Sequence, residues 1–189
     1  MKTGGYLTGL SSPSFIEDKL RLKVNRQKST VDRPWRLKFL GFSFYHKNQK
    51  IGIRVHPESI KRFKQRLKWI TARSNAASMT HRMLKLKQLI TGWVNYYGIA
   101  DMKKLAQSLD EWLRRRIRMC YWKQWKKVRT RRKNLVKRGI ESSKAWEFAN
   151  TRKGYWRIAG SPILTRIFTN EDLKKLGFQS IMTRYLFVH

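Results

Sequence analysis

The sequence predicts a mainly α-helical fold in which a small N-terminal β-hairpin precedes a helical bundle. Strand-forming aromatic and β-branched residues are concentrated before residue 56, where two short runs flank a polar turn. From residue 57 onward, apolar residues instead recur every three or four positions, the spacing of an amphipathic helix. Apolar residues make up 41% of the chain, which is enough for a hydrophobic core. We therefore expect a folded chain with one large domain or two small ones.

The predicted hairpin lies between residues 37 and 55. Its first strand contains Phe44, a polar turn follows over 47–50, and its second strand is 51–55. Gly41, inside the first strand, indicates either a β-bulge or close backbone packing.

Three longer helices are predicted after the hairpin. The first begins at Pro57, because proline at the first helical position loses only an amide that has no helical partner. The second ends near Gly98. Asp101 is expected to cap the third, whose helical pattern is expected to continue through the basic residues after Cys120 and to end at Gly139. The expected core-facing residues are Ile60, Phe63, Leu67 and Ile70, then Met83, Leu86, Ile90, Trp93 and Tyr97, and finally Leu105, Leu109, Trp112, Ile117 and Cys120. Shorter helices are predicted over 14–22, 142–150, 161–167 and 170–176.

The charge of the chain predicts a polyanionic partner. There are 44 Lys and Arg against 11 Asp and Glu, which gives a formal net charge of +33. A surface this basic repels itself unless it binds a polyanion, and a cell offers nucleic acid and acidic membrane. The aromatic content of 13% separates the chain from disordered basic tails, which contain few aromatic residues.

Cysteine content and hydropathy indicate an intracellular protein. Cys120 is the single cysteine, which excludes a disulfide framework and a cysteine-rich zinc site. No segment approaches the roughly 20 apolar residues that span a bilayer, and the N-terminus lacks the apolar stretch of a signal peptide. We expect Cys120 to be a small core residue, and the protein to be cytoplasmic and without a membrane partner.

The densest group of cations lies between Trp112 and Arg138, where there is no acidic residue. Its thirteen members are Arg114, Arg115, Arg116, Arg118, Lys123, Lys126, Lys127, Arg129, Arg131, Arg132, Lys133, Lys137 and Arg138. Arginine donates two hydrogen bonds in one plane to phosphate, and the aromatic residues among these cations can stack on unpaired bases. The residues expected to point away from the core are Arg114, Arg115 and Arg118. A solvated helix face is the alternative interpretation, but it leaves all thirteen cations without a local anion.

Arg116 conflicts with this pattern, because its charged side chain falls on the line of the helix that is expected to face the apolar core. We expect its guanidinium either to pair with a buried partner or to extend to the surface.

Two further segments are candidate RNA contacts. The helix that begins at Pro57 carries cations on its outer faces, and the segment 150–157 surrounds Gly154 with cationic and aromatic side chains. A structural turn is an equally good interpretation of the second segment. The complete set of predicted RNA-binding residues is Lys61, Arg62, Lys64, Arg66, Lys68, Arg114, Arg115, Arg118, Lys123, Lys126, Lys127, Arg129, Arg131, Arg132, Lys133, Arg152, Lys153, Trp156 and Arg157.

The sequence does not show the residue pattern of a catalytic or metal site. The four His have no metal-ligand spacing. Two-metal phosphoryl transfer needs carboxylates that converge on the ions, and Asp32 is the single acid of the strand region. The acidic pairs 17–18, 110–111 and 171–172 are expected at helix ends or on the surface. We therefore expect no catalytic residue, no metal and no cofactor.

Eight segments occur in an order that points to a known family. They are Leu22-Lys-Val-Asn-Arg-Gln-Lys-Ser29, Phe39-Leu-Gly-Phe42, Gly92-Trp-Val-Asn-Tyr-Tyr97, Leu113-Arg-Arg-Arg-Ile-Arg-Met119, Trp122-Lys-Gln-Trp-Lys126, Arg129-Thr-Arg131, Asn150-Thr-Arg-Lys-Gly-Tyr-Trp-Arg157 and Ser161-Pro-Ile-Leu164. With them, the chain from about residue 14 to 187 resembles the C-terminal third of bacterial group II intron reverse transcriptase/maturases. The resemblance implies a non-matching leader over 1–13, a palm remnant with the β-hairpin over 14–56, thumb-like helices over 57–98 and a maturase-specific (X) domain over 99–189.

The function implied by the resemblance is RNA binding rather than polymerisation. In that family the polymerase carboxylates lie in palm motifs, including a Tyr-Ala-Asp-Asp-type turn, and nothing like this turn occurs in the chain. The thumb and X domain bind folded intron RNA and help it reach its splicing-competent shape. The implied partner is therefore group II intron RNA, with a DNA target as a second candidate.

Two alternatives remain open at the level of sequence. The chain is the C-terminal part of a split RNA-directed DNA polymerase if a separately encoded portion supplies the palm and fingers. It is a cationic membrane-surface protein if its positive charge binds acidic lipid. The predicted strands and the distribution of aromatic residues over the whole chain count against this alternative.

Overall fold

The structure of the chain, a computed structural model, describes residues 13–25, 33, 35–47 and 50–189. Over these residues the chain forms two strands, β1 (Phe42–Lys47) and β2 (Lys50–Val55), and ten helices. The helices are α1 (Pro13–Asp18), α2 (Pro57–Ile70), α3 (Met79–Tyr97), α4 (Lys103–Gln124), α5 (Val128–Lys137), α6 (Ser142–Ala149), α7 (Tyr155–Ala159), α8 (Pro162–Ile167), α9 (Asn170–Lys175) and α10 (Ile181–Val188). The predicted fold class is confirmed. Asp32, residues 1–12 of the predicted leader and residues 48–49 of the predicted turn lie outside the described residues.

The hairpin is antiparallel and pairs Phe42 with Val55 at its open end. Gly41 lies before β1 rather than inside it, so the predicted bulge in the strand is wrong. The φ angle of Gly41 is 83°, in the left-handed region that favours glycine. A Cβ atom at this position would lie only 2.9 Å from Ser59 Oγ on α2. The alternative prediction, close packing, is confirmed, because the missing side chain lets the hairpin approach the helices.

The core extends from Phe42 and Val55 of the hairpin through α2, α3 and α4 to Tyr185 of α10. Its buried apolar side chains from α2–α4 are Phe63, Leu67 and Ile70 in α2, Met79, Met83, Leu86, Ile90 and Val94 in α3, and Ala106, Leu109, Leu113, Ile117, Met119, Cys120 and Trp122 in α4. The predicted core lines are largely confirmed, and Ile60, Trp93, Tyr97 and Leu105 are partly buried at their edges. The prediction for Trp112 is wrong in part. Its side chain is half-buried, and Leu113 occupies the core position instead.

The basic segment is divided between two helices, so the single helix expected from its periodicity is wrong. The helix α4 ends at Gln124, and Trp125 leaves the helical conformation with φ −77° and ψ 62°. The side chain of Trp125 is buried, and Arg131 Nε on α5 donates to the carbonyl of Trp125 at 2.9 Å. The turn therefore brings α5 back onto the end of α4. As predicted, Gly139 ends α5, with a φ of 82°.

Most of the longer helices begin at a residue whose side chain accepts a backbone hydrogen bond. His56 Nδ1 accepts from the amide of Glu58 at 3.2 Å, and Ser78 Oγ accepts from the amide of His81 at 3.2 Å. The predicted cap of α4 is wrong, because Asp101 does not bond to the helix. Its carboxylate accepts from the Tyr45 hydroxyl at 2.6 Å and so joins β1 to the α3–α4 turn.

Two of the helices, α7 and α10, are absent from the sequence prediction. Both are short, with five residues in α7 and eight in α10, so each contains few repeats of a helical period. Within the described ranges, no helix combines the length and apolar character that crossing a bilayer requires.

Asp110 anchors α10 to the middle of α4. Its side chain is buried, with 1% of the residue exposed, so its predicted position at a helix end or on the surface is wrong. The carboxylate accepts from Ser180 Oγ at 2.5 Å, from the amide of Ile181 at 2.8 Å and from the amide of Met182 at 3.0 Å. A negative charge at a helix N-terminus also interacts favourably with the helix dipole. Asp110 therefore acts as the cap of a helix that lies far away in sequence.

We expect Asp110→Ala to lower the free energy of unfolding by about 2–4 kcal/mol, because buried donors at the start of α10 lose their acceptor. Thermal and urea unfolding measure the change. The matched control is Glu111→Ala on the exposed side of the same turn, which should change stability by less than about 0.5 kcal/mol. Equal losses for the two variants would contradict the assigned role of Asp110.

Candidate nucleic-acid interface

A cleft of about 930 Å³ opens between the end of α2, the side of α4 and the start of α7. We call it the basic cleft. Its cations are Lys68, Arg73, Arg116, Lys123 and Arg157, and its aromatic side chains are Tyr155 and Trp156. Among the described residues, no Asp or Glu lines this cleft. The cleft therefore offers several cationic donors to a phosphate without a competing carboxylate.

Arg116 is held at the floor of the basic cleft by the end of α2. Its Nε donates to Thr71 Oγ1 at 2.6 Å, and its Nη2 donates to the carbonyls of Lys68 and Thr71, both at 3.1 Å. The guanidinium carbon lies 5.2 Å from the centre of the Trp112 ring. The expected conflict is thus resolved by pairing with a hydroxyl and carbonyls. Burial, the main cause, lowers the pKa of Arg116. An arginine side chain in a protein nevertheless keeps its charge.

The aromatic wall of the basic cleft comes from α7. Arg73 and Lys123 lie 5.3 Å and 5.2 Å from the centre of the Tyr155 ring. Arg115 lies 4.2 Å from the centre of the Trp156 ring and donates to the Trp156 carbonyl from Nε at 3.2 Å and Nη2 at 3.0 Å. These cation–π contacts fix the cations without neutralising their charge.

Close approach of the backbone occurs at Gly160 rather than at Gly154. A Cβ atom at Gly160 would lie 2.8 Å from the guanidinium carbon of Arg115, so glycine makes room for this side chain. At Gly154 nothing lies within 4 Å of such an atom. Gly154 instead precedes α7 as its N-cap residue, which supports the structural-turn interpretation of this segment.

Arg82 fixes the loop between α2 and α3, which forms one wall of the basic cleft. Its side chain is buried on α3. Nη1 donates to the carbonyls of Ile70 at 3.0 Å and Ala72 at 2.9 Å, and Nε donates to the carbonyl of Ala77 at 3.1 Å. Nη2 donates to the carbonyl of Asn75. One side chain thus donates to the last carbonyl of α2 and to three carbonyls of the loop.

Cys120 lies beneath the same loop. Its thiol donates to the Thr71 carbonyl at 3.3 Å, and Arg82 Nη1 lies 3.6 Å from the sulfur. Burial raises the pKa of the Cys120 thiol, so the reactive thiolate is suppressed at neutral pH. The prediction that Cys120 is a small core residue is confirmed.

The basic cleft brings together residues from all three predicted cationic segments. Lys68, Lys123, Trp156 and Arg157 are its predicted members. Sequence reasoning missed Arg73 and Tyr155 as members, and it flagged Arg116 only as a conflict. Tyr155 belongs to the segment 150–157, but nothing in the periodicity indicates that Arg73, in the loop after α2, lies opposite it.

The expected outward orientation of Arg118 is wrong. Only 9% of the residue is exposed, and its Nη1 donates to Thr165 Oγ1 at 2.8 Å because α8 covers this side of α4. Burial, followed by the neighbouring charges of Arg114 and Arg115, lowers the pKa of Arg118. Arg114 and Arg115 are themselves partly buried, and Arg114 lies 3.9 Å from the Asp110 carboxylate.

The remaining predicted cations lie outside the basic cleft. Arg131 is partly buried and donates to the carbonyls of Trp125 and Ala149, while Arg132 donates to Ser142 Oγ at 2.7 Å. The other residues of the set are exposed, namely Lys61, Arg62, Lys64 and Arg66 on α2, Lys126, Lys127, Arg129 and Lys133 around α5, and Arg152 and Lys153 before α7.

Comparison with protein families identifies the central part of the chain. Residues 60–139 match the family model described as the group II intron, maturase-specific domain. This segment is similar to the maturase-specific domain of group II introns. It includes most of α2, all of α3, α4 and α5, and therefore the α2 and α4 walls of the basic cleft. No curated protein matches the chain.

The match confirms the predicted relationship to maturases. It runs across the predicted boundary between thumb-like helices (57–98) and X domain (99–189), so it supports a maturase fragment without testing that division. The predicted domain boundaries and the palm remnant over 14–56 stay predictions.

We expect Arg82→Met to expose Cys120 by loosening the α2–α3 loop of the maturase-specific domain. Methionine keeps the apolar stem but removes every donor to the loop carbonyls. Labelling of the single thiol by an aromatic disulfide should accelerate at least about tenfold, equivalent to about 1.4 kcal/mol of local opening free energy. Lys85→Met, one turn along on the exposed side of α3, is the control and should label like the parent. Unchanged labelling of Arg82→Met would show that the loop does not depend on Arg82.

Proposed function

We propose that the chain binds group II intron RNA through the basic cleft and assists the folding and splicing of that RNA. The observation that carries the proposal is the convergence in one cleft of five cations and two aromatic residues, with no acid of the described residues in the lining. The maturase-specific domain supplies two of its three walls, which favours intron RNA over an arbitrary polyanion.

Electrostatics support binding of a nucleic-acid backbone. The cleft side chains belong to a chain of net charge +33, whose 11 acids leave most cations without an ionic partner. Each phosphate neutralised by Lys or Arg releases counterions, which drives binding and makes it salt-dependent. Arg116 is oriented by the end of α2 before any ligand arrives, so less side-chain entropy is lost when it binds.

The aromatic residues support RNA with unpaired nucleotides. Proteins recognise folded RNA mainly through shape, backbone contacts and bases splayed out of the helix, which stack on aromatic or guanidinium planes. The exposed ring of Trp156 and the guanidinium of Arg115 above it present such planes beside the basic cleft. A DNA target shares this chemistry and is a second candidate partner for the same surface.

The exposed cations outside the basic cleft extend the proposed interface on two sides. Lys61, Arg62, Lys64 and Arg66 continue it along α2, and Lys126, Lys127, Arg129 and Lys133 continue it around α5. The buried Arg118 and the partly buried Arg131 are proposed to support the fold, because their donors are used by the protein itself.

We expect the triple variant Lys68→Gln, Lys123→Gln and Arg157→Gln to weaken binding to intron RNA and to flatten its salt dependence. For the parent, affinity should fall by about 10³-fold between about 50 and 200 mM salt if six or more phosphates are contacted. The variant should lose up to about three units of the slope of log affinity against log salt, roughly one for each lost phosphate contact. Filter binding over a series of salt concentrations measures both quantities.

The matched control removes three cations elsewhere, with Lys144→Gln, Lys174→Gln and Lys175→Gln on α6 and α9. It changes the net charge equally but leaves the cleft intact, so its salt slope should equal that of the parent. Equal slopes for the two triple variants would mean that charge alone, and not the basic cleft, binds the RNA.

We further propose that the chain has no polymerase activity of its own. The parent family carries its catalytic carboxylates in the palm, and across the described residues no three His, Cys, Asp or Glu side chains are grouped as a metal site would require. Purified protein given primer, template, Mg²⁺ and nucleotides should extend no primer. Extension that persists through purification and disappears in Asp32→Ala would contradict this proposal, and extension only with a separately encoded palm would favour the split polymerase.

A further inference from the structure

Trp69 is an exposed indole on a basic helix, although tryptophan is usually buried. It lies at the last turn of α2, and 74% of the residue is exposed. Its neighbour in sequence, Lys68, faces the basic cleft, whereas Trp69 faces the other side of the α2–α3 loop. A large exposed aromatic surface is costly in water and commonly marks a binding site.

Two grooves flank Trp69. One, of about 410 Å³, lies between the indole and the loop and includes His81 and Lys85 among its lining residues. The other, of about 420 Å³, is bounded by Arg66, Lys85 and Gln88. Trp69 and Lys85 line both grooves, so the indole stands at their boundary beside a cation. In the part of the chain that the structure describes, neither lining contains a carboxylate.

We propose that Trp69 is a stacking platform for an unpaired base of the RNA that the basic cleft binds. The flat indole provides the stacking surface, and Arg66 and Lys85 lie where they can neutralise the phosphates on either side of the stacked nucleotide. This inference rests on the proposed RNA binding and specifies its ligand as RNA with a single-stranded extension.

The position of the grooves gives such an extension a continuous path. Ala72 and Ser74 of the α2–α3 loop line both the basic cleft and the first groove beside Trp69. A single strand of RNA that leaves the basic cleft would pass over these two small residues and reach the Trp69 indole. Among the described lining residues, no acidic side chain lies along this path. Arg82 holds the loop in place through its bonds to the carbonyls of Ala72 and Asn75.

The test compares two RNAs with three proteins. The RNAs are a blunt hairpin and the same hairpin with a short unpaired extension, and the proteins are the parent, Trp69→Ala and Trp69→Phe. Loss of one stacked base should weaken binding of the extended hairpin to Trp69→Ala by about 5- to 150-fold. The blunt hairpin should bind all three alike, and Trp69→Phe should stay within about threefold of the parent because phenylalanine keeps an aromatic face.

Phe187→Ala is the matched control, since Phe187 is equally exposed but lies on α10 near the far end of α3. It should bind both RNAs like the parent. Thermal melting of each variant checks that the exposed substitutions leave the fold unchanged.

Three outcomes would overturn the inference. If Trp69→Ala weakens both RNAs equally, or neither, the indole does not stack on the extension, although RNA binding itself stands. Binding of the parent and Trp69→Ala to anionic phospholipid vesicles is measured in parallel. If the substitution weakens only vesicle binding, the exposed indole binds a membrane surface instead. If the parent binds neither hairpin, the proposed function fails and this inference fails with it.

Discussion

The hydrogen bonds of one buried guanidinium, that of Arg82, hold the end of α2 and the α2–α3 loop in place. From α3 it binds the carbonyls that end α2 and those of the loop that follows. Those carbonyls have no helical partner, and their burial without a donor would be costly. Because this loop separates the basic cleft from the grooves beside Trp69, the shape of both depends on a residue that need not touch RNA.

Arginine replaces the salt bridge as the main polar support of this fold. Arg115, Arg116 and Arg131 each donate to backbone carbonyls and lie over an aromatic ring, instead of pairing with acids. Carbonyls and π systems orient a guanidinium without cancelling its charge. The chain can therefore use a cation for folding and still present a strongly positive surface. A protein that neutralised the same residues with carboxylates would lose that field.

The sequence predicted those features of the fold that are determined by residues close together in the chain. The core lines of α2 and α3, the proline start of α2 and the end at Gly139 all follow from spacing and backbone preference within a few residues. The errors have distant causes. Arg118 is buried because α8 covers it, and Asp110 is buried because it caps α10, yet neither partner is visible from periodicity around α4. Arg73 and Tyr155 were missed as members of the basic cleft for the same reason, since they meet only after folding.

The bond between Asp110 and the start of α10 also sets an order of events during synthesis. The two partners are separated by 70 residues, so the carboxylate emerges from the ribosome well before Ser180. Until then Asp110 must stay hydrated, because a buried carboxylate without donors is strongly unfavourable. The middle of α4 therefore cannot close its core around this position while the nascent chain is incomplete. Consolidation of the core around Asp110 is therefore a late step, coupled to the arrival of α10.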